Sequence, residues 1–139
     1  MIVIDTSALV AIVFNEPERA AFVQAVKQAD KVLVSTVSVV EARMVVHGRR
    51  GERAVVLLDD LLRLPMFELI PPGPDAMDAA TAAFVAFGKG SGHPASLNFG
   101  DLFSYALAKL RGLPLLYKGT NFAQTDIESA VPPTPDVML

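Results

Sequence analysis

The 139-residue chain contains no cysteine, no tryptophan and only two histidines. Disulfides, thiolate-bound zinc and a cysteine nucleophile are thereby excluded, and with nothing to call for an oxidising compartment the expected address is the cytoplasm. His47 and His93 stand alone, without a second ligand at metal-binding spacing, so neither marks a zinc site. No apolar run reaches the roughly 18 residues of a membrane span, and Asp5 falls where a signal peptide would place basic residues and then a long apolar stretch. The expectation is a soluble chain, mature from Met1, with no membrane partner. A basic excess is missing too: 15 acidic residues stand against 12 basic ones, for a formal net charge of -3. Phosphate-binding proteins usually carry the opposite balance. An acidic metal site would account for part of it, because bound cations offset such charge locally.

What the chain does have is apolar side chains, 52 % of residues against 19 % charged, the composition of a compact fold. Its length suits one domain, expected over residues 1–131, with residues 132–139 as a C-terminal tail. Ile2-Val3-Ile4 and Val32-Leu33-Val34 read as strands buried on both faces, Phe67 to Ile70 and Leu115-Leu116-Tyr117 as two more, and Ala130-Val131 as a last edge pair. Between them, Ala8 to Phe14 is an apolar run punctuated by Asn15 and Pro17; Glu18 to Gln28, Glu52 to Leu64 and Asp75 to Phe87 read as helical, and a nearly all-apolar helix follows Asp101 and stops at Gly112. Ser38-Val39-Val40-Glu41 has the form of a capping box, from which a helix is predicted to run to Gly48. Strands alternating with helices imply an α/β fold, a doubly wound parallel sheet with helices on both faces.

Three carboxylates occupy the positions where such a sheet places its ligands. Asp5 follows the first strand, Glu41 comes a few residues after the second, and Asp101 opens the buried helix. Carboxylates gathered from separate segments repel one another and are expected to hold protons or a hard cation. Oxygen ligands without His or Cys suit Mg²⁺, with Mn²⁺ as a substitute. Each acid also has an ordinary reading: Asp5 as the former of a turn after a strand, Glu41 as the partner of Ser38, and Asp101 as the N3 acid of a helix capped by Asn98.

The residues around these acids carry a family resemblance. Asp5-Thr6-Ser7-Ala8, Glu41 in the following helix, and Asn98-Phe99-Gly100-Asp101 running on to Ala108 resemble the acidic signatures of PIN-domain toxins of the VapC type. Leu115-Leu116-Tyr117-Lys118-Gly119 and Phe122 to Ile127 resemble that family's C-terminal motif. The resemblance implies a PIN-like fold, Mg²⁺- or Mn²⁺-dependent endoribonuclease activity, homodimerisation, and neutralisation by a VapB-like antitoxin within a larger hetero-oligomer. It assigns Asp5, Glu41 and Asp101 to the metal and to catalysis, with one or two ions left open and Thr6, Ser7 and Asn98 as supporting polar groups. The family's fourth acid, just before the Phe of the C-terminal motif, is replaced by Thr120 and Asn121, which makes Asp126 the candidate substitute.

For RNA contacts the sequence offers Arg43, within the patch formed with Arg49, Arg50 and Arg53, together with Lys89 and Lys118. Two rival classes remain. A Mg²⁺-dependent phosphohydrolase of haloacid-dehalogenase type needs a D-x-D pair after the first strand, where this chain has Ser7. A catalytically silent PIN-like binding module is favoured by Thr120 and Asn121. The glycine-rich segment from Gly88 to His93 follows a helix and lacks the phosphate-loop pattern.

Overall fold

The structure is a computed structural model that describes residues 1–132, so all of the expected tail after Pro132 lies outside the described residues. The elements in chain order are β1 (Ile2–Ile4), α1 (Thr6–Val13), α2 (Arg19–Gln28), β2 (Val32–Ser35), α3 (Thr36–Arg50), α4 (Glu52–Leu62), β3 (Phe67–Ile70), α5 (Pro74–Phe87), α6 (Phe99–Arg111) and β4 (Leu115–Leu116). All strand pairs are parallel, in the order β3-β2-β1-β4. Only crossover connections can join parallel neighbours, and here helices supply them.

The period-2 alternation of each strand divides the core into two layers. Ile4, Val32, Val34 and Leu116 point to the side covered by α1 to α4. Val3, Leu33 and Leu115 point to the side covered by α5 and α6. This three-layer arrangement is the expected PIN-like doubly wound architecture, and it explains why the short strands read as continuous apolar runs.

Two element boundaries differ from expectation in ways that matter for the site. α3 begins at Thr36, immediately after β2, with Ser35 as its N-cap: the Ser35 Oγ accepts from the Val37 N–H at 3.2 Å. Ser38 is therefore interior to the helix, its hydroxyl buried, and the expected Ser38–Glu41 capping box does not form. The helix also continues past Gly48 to Arg50 and stops at Gly51, whose φ of 73° suits glycine. The last edge strand reduces to one bridge between Leu115 and Ser129, with the Ala130 N–H donating to the Leu115 carbonyl at 2.9 Å.

Candidate active site

An open cleft of about 480 Å³ lies beyond the carboxyl ends of β1 and β2, where doubly wound sheets present ligand sites. Asp5, Glu41 and Asp101 all line it, together with Thr6, Ser7 and Asn98. The three acids predicted from separate segments thus share one concavity, and the polar neighbours expected to support them are present.

Asp5 is 2 % exposed and has partners on both oxygens. Oδ2 accepts from the Ser7 N–H at 3.0 Å and from the Ser7 hydroxyl at 2.7 Å, which makes Asp5 the N-cap of α1. Oδ1 accepts from the Ser104 hydroxyl at 2.6 Å. Ser104 in turn lies 3.0 Å from the Ser38 hydroxyl, and the Thr6 hydroxyl donates to the Ser38 carbonyl at 3.1 Å. Because the short contact to a carboxylate takes the Ser104 proton, Ser38 is the donor of the next bond, so a buried chain of hydroxyls runs from α3 through α6 to the end of β1. The Ser7 Oγ also accepts from the Lys118 N–H at 3.0 Å, fastening the segment after β4 to the same carboxylate.

Asp101 fulfils its ordinary reading and faces the cleft as well. Its Oδ2 accepts from the Asn98 N–H at 3.0 Å while the Asn98 Oδ1 accepts from the Asp101 N–H at 2.9 Å, a reciprocal capping box. Burial, and then the neighbouring Asp5 and Glu41 carboxylates, outweigh the Asn98 bond and push Asp101 up to about 7. Glu41 is half-buried and likewise raised, first by burial and then by Asp5, with the Thr6 hydroxyl partly offsetting both. A Cβ on Gly100 would collide with the Glu41 carboxylate. Only the bare backbone of α6 therefore lets Glu41 lie beside Asp101.

Among the described residues no three His, Asp or Glu side chains form a preformed coordination sphere. The donor set nevertheless fits a hard divalent cation. Such an ion demands oxygen, keeps several of its waters, and needs only one or two direct carboxylates in an open site. Acids raised by burial and by one another's charge are what such an ion would relieve.

The remaining candidates divide. Lys118 lines the cleft, its ammonium paired with Glu18 at 3.0 Å and Glu16 at 3.3 Å. Arg43 does not reach the cleft wall, and its guanidinium pairs with Asp59 at 3.0 Å because residues two positions apart on a helix face different ways. Lys89 lies in the loop after α5, its backbone N–H bonded to the Leu97 carbonyl, and it too is absent from the cleft lining. Asp126 is outside the cleft, accepting from the Tyr105 hydroxyl at 2.6 Å and the Lys109 ammonium at 2.7 Å. Ser104 was not anticipated, although it stands three residues after Asp101 and so on the same helical face. Arg49 was grouped only with a general basic patch, yet it lines the cleft.

The PIN domain family matches residues 2–128. Ribonuclease VapC30 of Mycobacterium tuberculosis is 45% identical over 131 residues, covering 94% of this chain and 99% of its own length. Ribonuclease VapC28 of the same organism is 40% identical over 129 residues, 93% and 97% of the two chains. Ribonuclease VapC of Mycolicibacterium smegmatis is 45% identical over 125 residues, 90% and 96%. Among solved structures, M. tuberculosis VapC20, described as a Sarcin-Ricin loop cleaving toxin, has a TM-score of 0.78 at 18% identity and covers 95% of this chain and 100% of its own. A toxin-antitoxin complex from Klebsiella pneumoniae has a TM-score of 0.68 at 17% identity, with 94% and 98% covered. At these identities the structural likeness speaks to the fold.

Proposed function

The chain belongs to the PIN domain family, and from that premise we propose that it is a VapC-type ribonuclease, the toxin of a toxin-antitoxin pair. Its relatives named as VapC ribonucleases match nearly their full lengths. The observation that carries the chemistry is the shared cleft of Asp5, Glu41 and Asp101, three acids separated in sequence and facing one space.

In this reading Asp5, Glu41 and Asp101 hold Mg²⁺ or Mn²⁺ and the substrate is an RNA phosphodiester. When bound, a cation of this class offsets charge on the phosphoryl oxygens and activates water. The protein's own part is positional. Ser104 and Ser7 fix both oxygens of Asp5, Asn98 fixes one oxygen of Asp101 and leaves the other to the cleft, and Gly100 makes room for Glu41. Asp101, protonated up to about pH 7, must give up its proton for the acids to act together. With both oxygens engaged, Asp5 is a ligand of fixed orientation, which lowers the reorganisation required of the site.

The partners follow from the same chemistry. A small antitoxin would quench the acidic cleft with an Arg, whose planar fork matches carboxylates. By the family resemblance, the toxin would be a homodimer that joins a larger complex with that antitoxin. Among the described residues no helix is long and apolar enough to cross a membrane.

The test is cleavage of total RNA by antitoxin-free protein with Mg²⁺ or Mn²⁺, its inhibition by EDTA, and its loss in Asp5→Asn and Asp101→Asn. The replacement of the family's fourth acid by Thr120 and Asn121, neither of which lines the cleft, favours a second reading as a silent binding module. Wild-type protein inert with both metals would establish that reading instead.

A further inference from the structure

We propose that Arg49 forms a second phosphate subsite, binding a phosphate of the RNA strand other than the one held at the acids. The proposal rests on the nuclease reading and names how that site would hold its polymer. The cleft runs between α1 and α3, with Glu16, the start of α6 and the segment after β4 completing its lining. Thr6, Ser7 and Val10 of α1 form one wall, and Glu41, Val45 and Arg49 of α3 form the other. The spacing of four along α3 puts all three side chains on one stripe. At about 1.5 Å per residue, Arg49 stands about 12 Å along the helix from Glu41. A strand whose reacting phosphate lies at the acids would therefore meet Arg49 at a neighbouring nucleotide.

Arg49 is suited to that contact by what it lacks. Of the other basic side chains nearby, Arg43 has Asp59, Lys118 has Glu16 and Glu18, and the Arg19 guanidinium donates to the Ile12 carbonyl, while Arg50 and Arg53 do not line the cleft. Among the described residues Arg49 has no carboxylate within ion-pair distance. Its guanidinium instead lies over the Phe14 ring, 5.5 Å from the centroid. Cation-π seating orients the planar group while leaving its N–H fork unmatched, and that fork pairs well with phosphate oxygens. Arg50 shares the same ring, at 5.3 Å, yet does not line the groove. It supplies a control of equal charge on the same helix turn.

The experiment measures anisotropy of a labelled single-stranded RNA oligonucleotide in EDTA, over a range of salt concentrations, in an Asp101→Asn background that keeps the RNA intact. Arg49→Ala is expected to weaken binding about tenfold at low salt and to lower the log-log salt slope by about 0.7, the increment for one phosphate contact on a single strand. Arg50→Ala should shift the slope far less, and Arg49→Lys should restore the slope but only part of the affinity. An unchanged slope in Arg49→Ala overturns the proposal, as does an equal loss in Arg50→Ala. Binding that depends on Arg49 in a protein that never cleaves would sink the nuclease reading and leave this subsite standing. Cleavage with Arg49-independent binding would do the reverse.

Discussion

The Ser104 hydroxyl donates to Asp5 Oδ1 across 2.6 Å in a region that solvent does not reach. This bond joins the middle of α6 to the end of β1, and Ser38 extends it to α3. Three elements that each carry one acid of the cleft are thus tied together beneath the acids, by groups too buried to exchange their partners for water.

Ser104→Ala should therefore affect both stability and the metal site. Removing a buried donor to a carboxylate costs about 1.5–3 kcal/mol, and the Ser38 hydroxyl loses its partner as well. Urea denaturation should register that loss, and Mn²⁺ titration should show weaker binding because Asp5 is no longer held in one orientation. Unchanged Mn²⁺ affinity in a destabilised Ser104→Ala would restrict the hydroxyl to a structural role.

Gly100→Ala separates the two properties in the opposite way. The three atoms nearest to an added Cβ all belong to the far end of the Glu41 side chain, which can swing aside at little cost, and alanine in a helix gains about 0.5–1 kcal/mol over glycine. The melting temperature should hold or rise while Mn²⁺ affinity and RNA cleavage fall sharply. A variant that cleaves like wild type would mean that Glu41 does not need its position beside Asp101.

The raised Asp101 makes stability depend on pH with a definite sign. Its ordinary value is 3.8 and the folded value is about 7, chiefly through burial. Between these values the unfolded chain has lost the proton and the folded chain keeps it, so unfolding becomes easier as pH rises and the penalty is complete above about 7. The metal-free protein should melt at progressively lower temperature from pH 5 to pH 8. Asp101→Asn should flatten that profile, and Mg²⁺ should raise the melting temperature more at pH 8 than at pH 5. A flat wild-type profile would refute the raised value.

The same residues show how much was legible beforehand. β1, β2 and α6 were readable because buried parallel strands and a buried helix leave uninterrupted apolar runs, and Asp5 and Asp101 could be found because they sit at the ends of those runs. Glu41 was legible as an acid a few residues after the second strand, and its competing reading as a capping partner of Ser38 falls away: α3 starts directly from β2 at Ser35, which leaves Ser38 inside the helix and the Glu41 carboxylate available to the cleft. Ser104 was hidden because one serine within an apolar helix gives no sign of the carboxylate it meets across the core. Arg43 and Arg49 looked equivalent as members of one basic cluster. Six residues of helical rotation give them different neighbours, Asp59 for the first and the groove for the second.

Asp126 shows the limit of motif position as a guide. It lies within the C-terminal motif where a substitute for the fourth acid was sought, but its carboxylate accepts from Tyr105 and Lys109 and does not line the cleft. Lys109, then Tyr105, holds it below the usual carboxylate range, so its contribution to stability is present near neutral pH and is lost on acidification through the lowered value. Its role is to supply an acceptor for the hydroxyl of Tyr105, a residue 6 % exposed. Asp126→Ala should cost about 0.5–1.5 kcal/mol, the ordinary worth of one hydrogen bond, since the bond is part-buried and water can take the acceptor's place. Asp126→Asn, which keeps an oxygen acceptor but loses the charge, should cost less. Both should retain wild-type Mn²⁺ affinity by isothermal titration. If Asp126→Asn folded normally but bound the metal weakly, the cation site would have to extend beyond the cleft, and the three-acid assignment would need a fourth member.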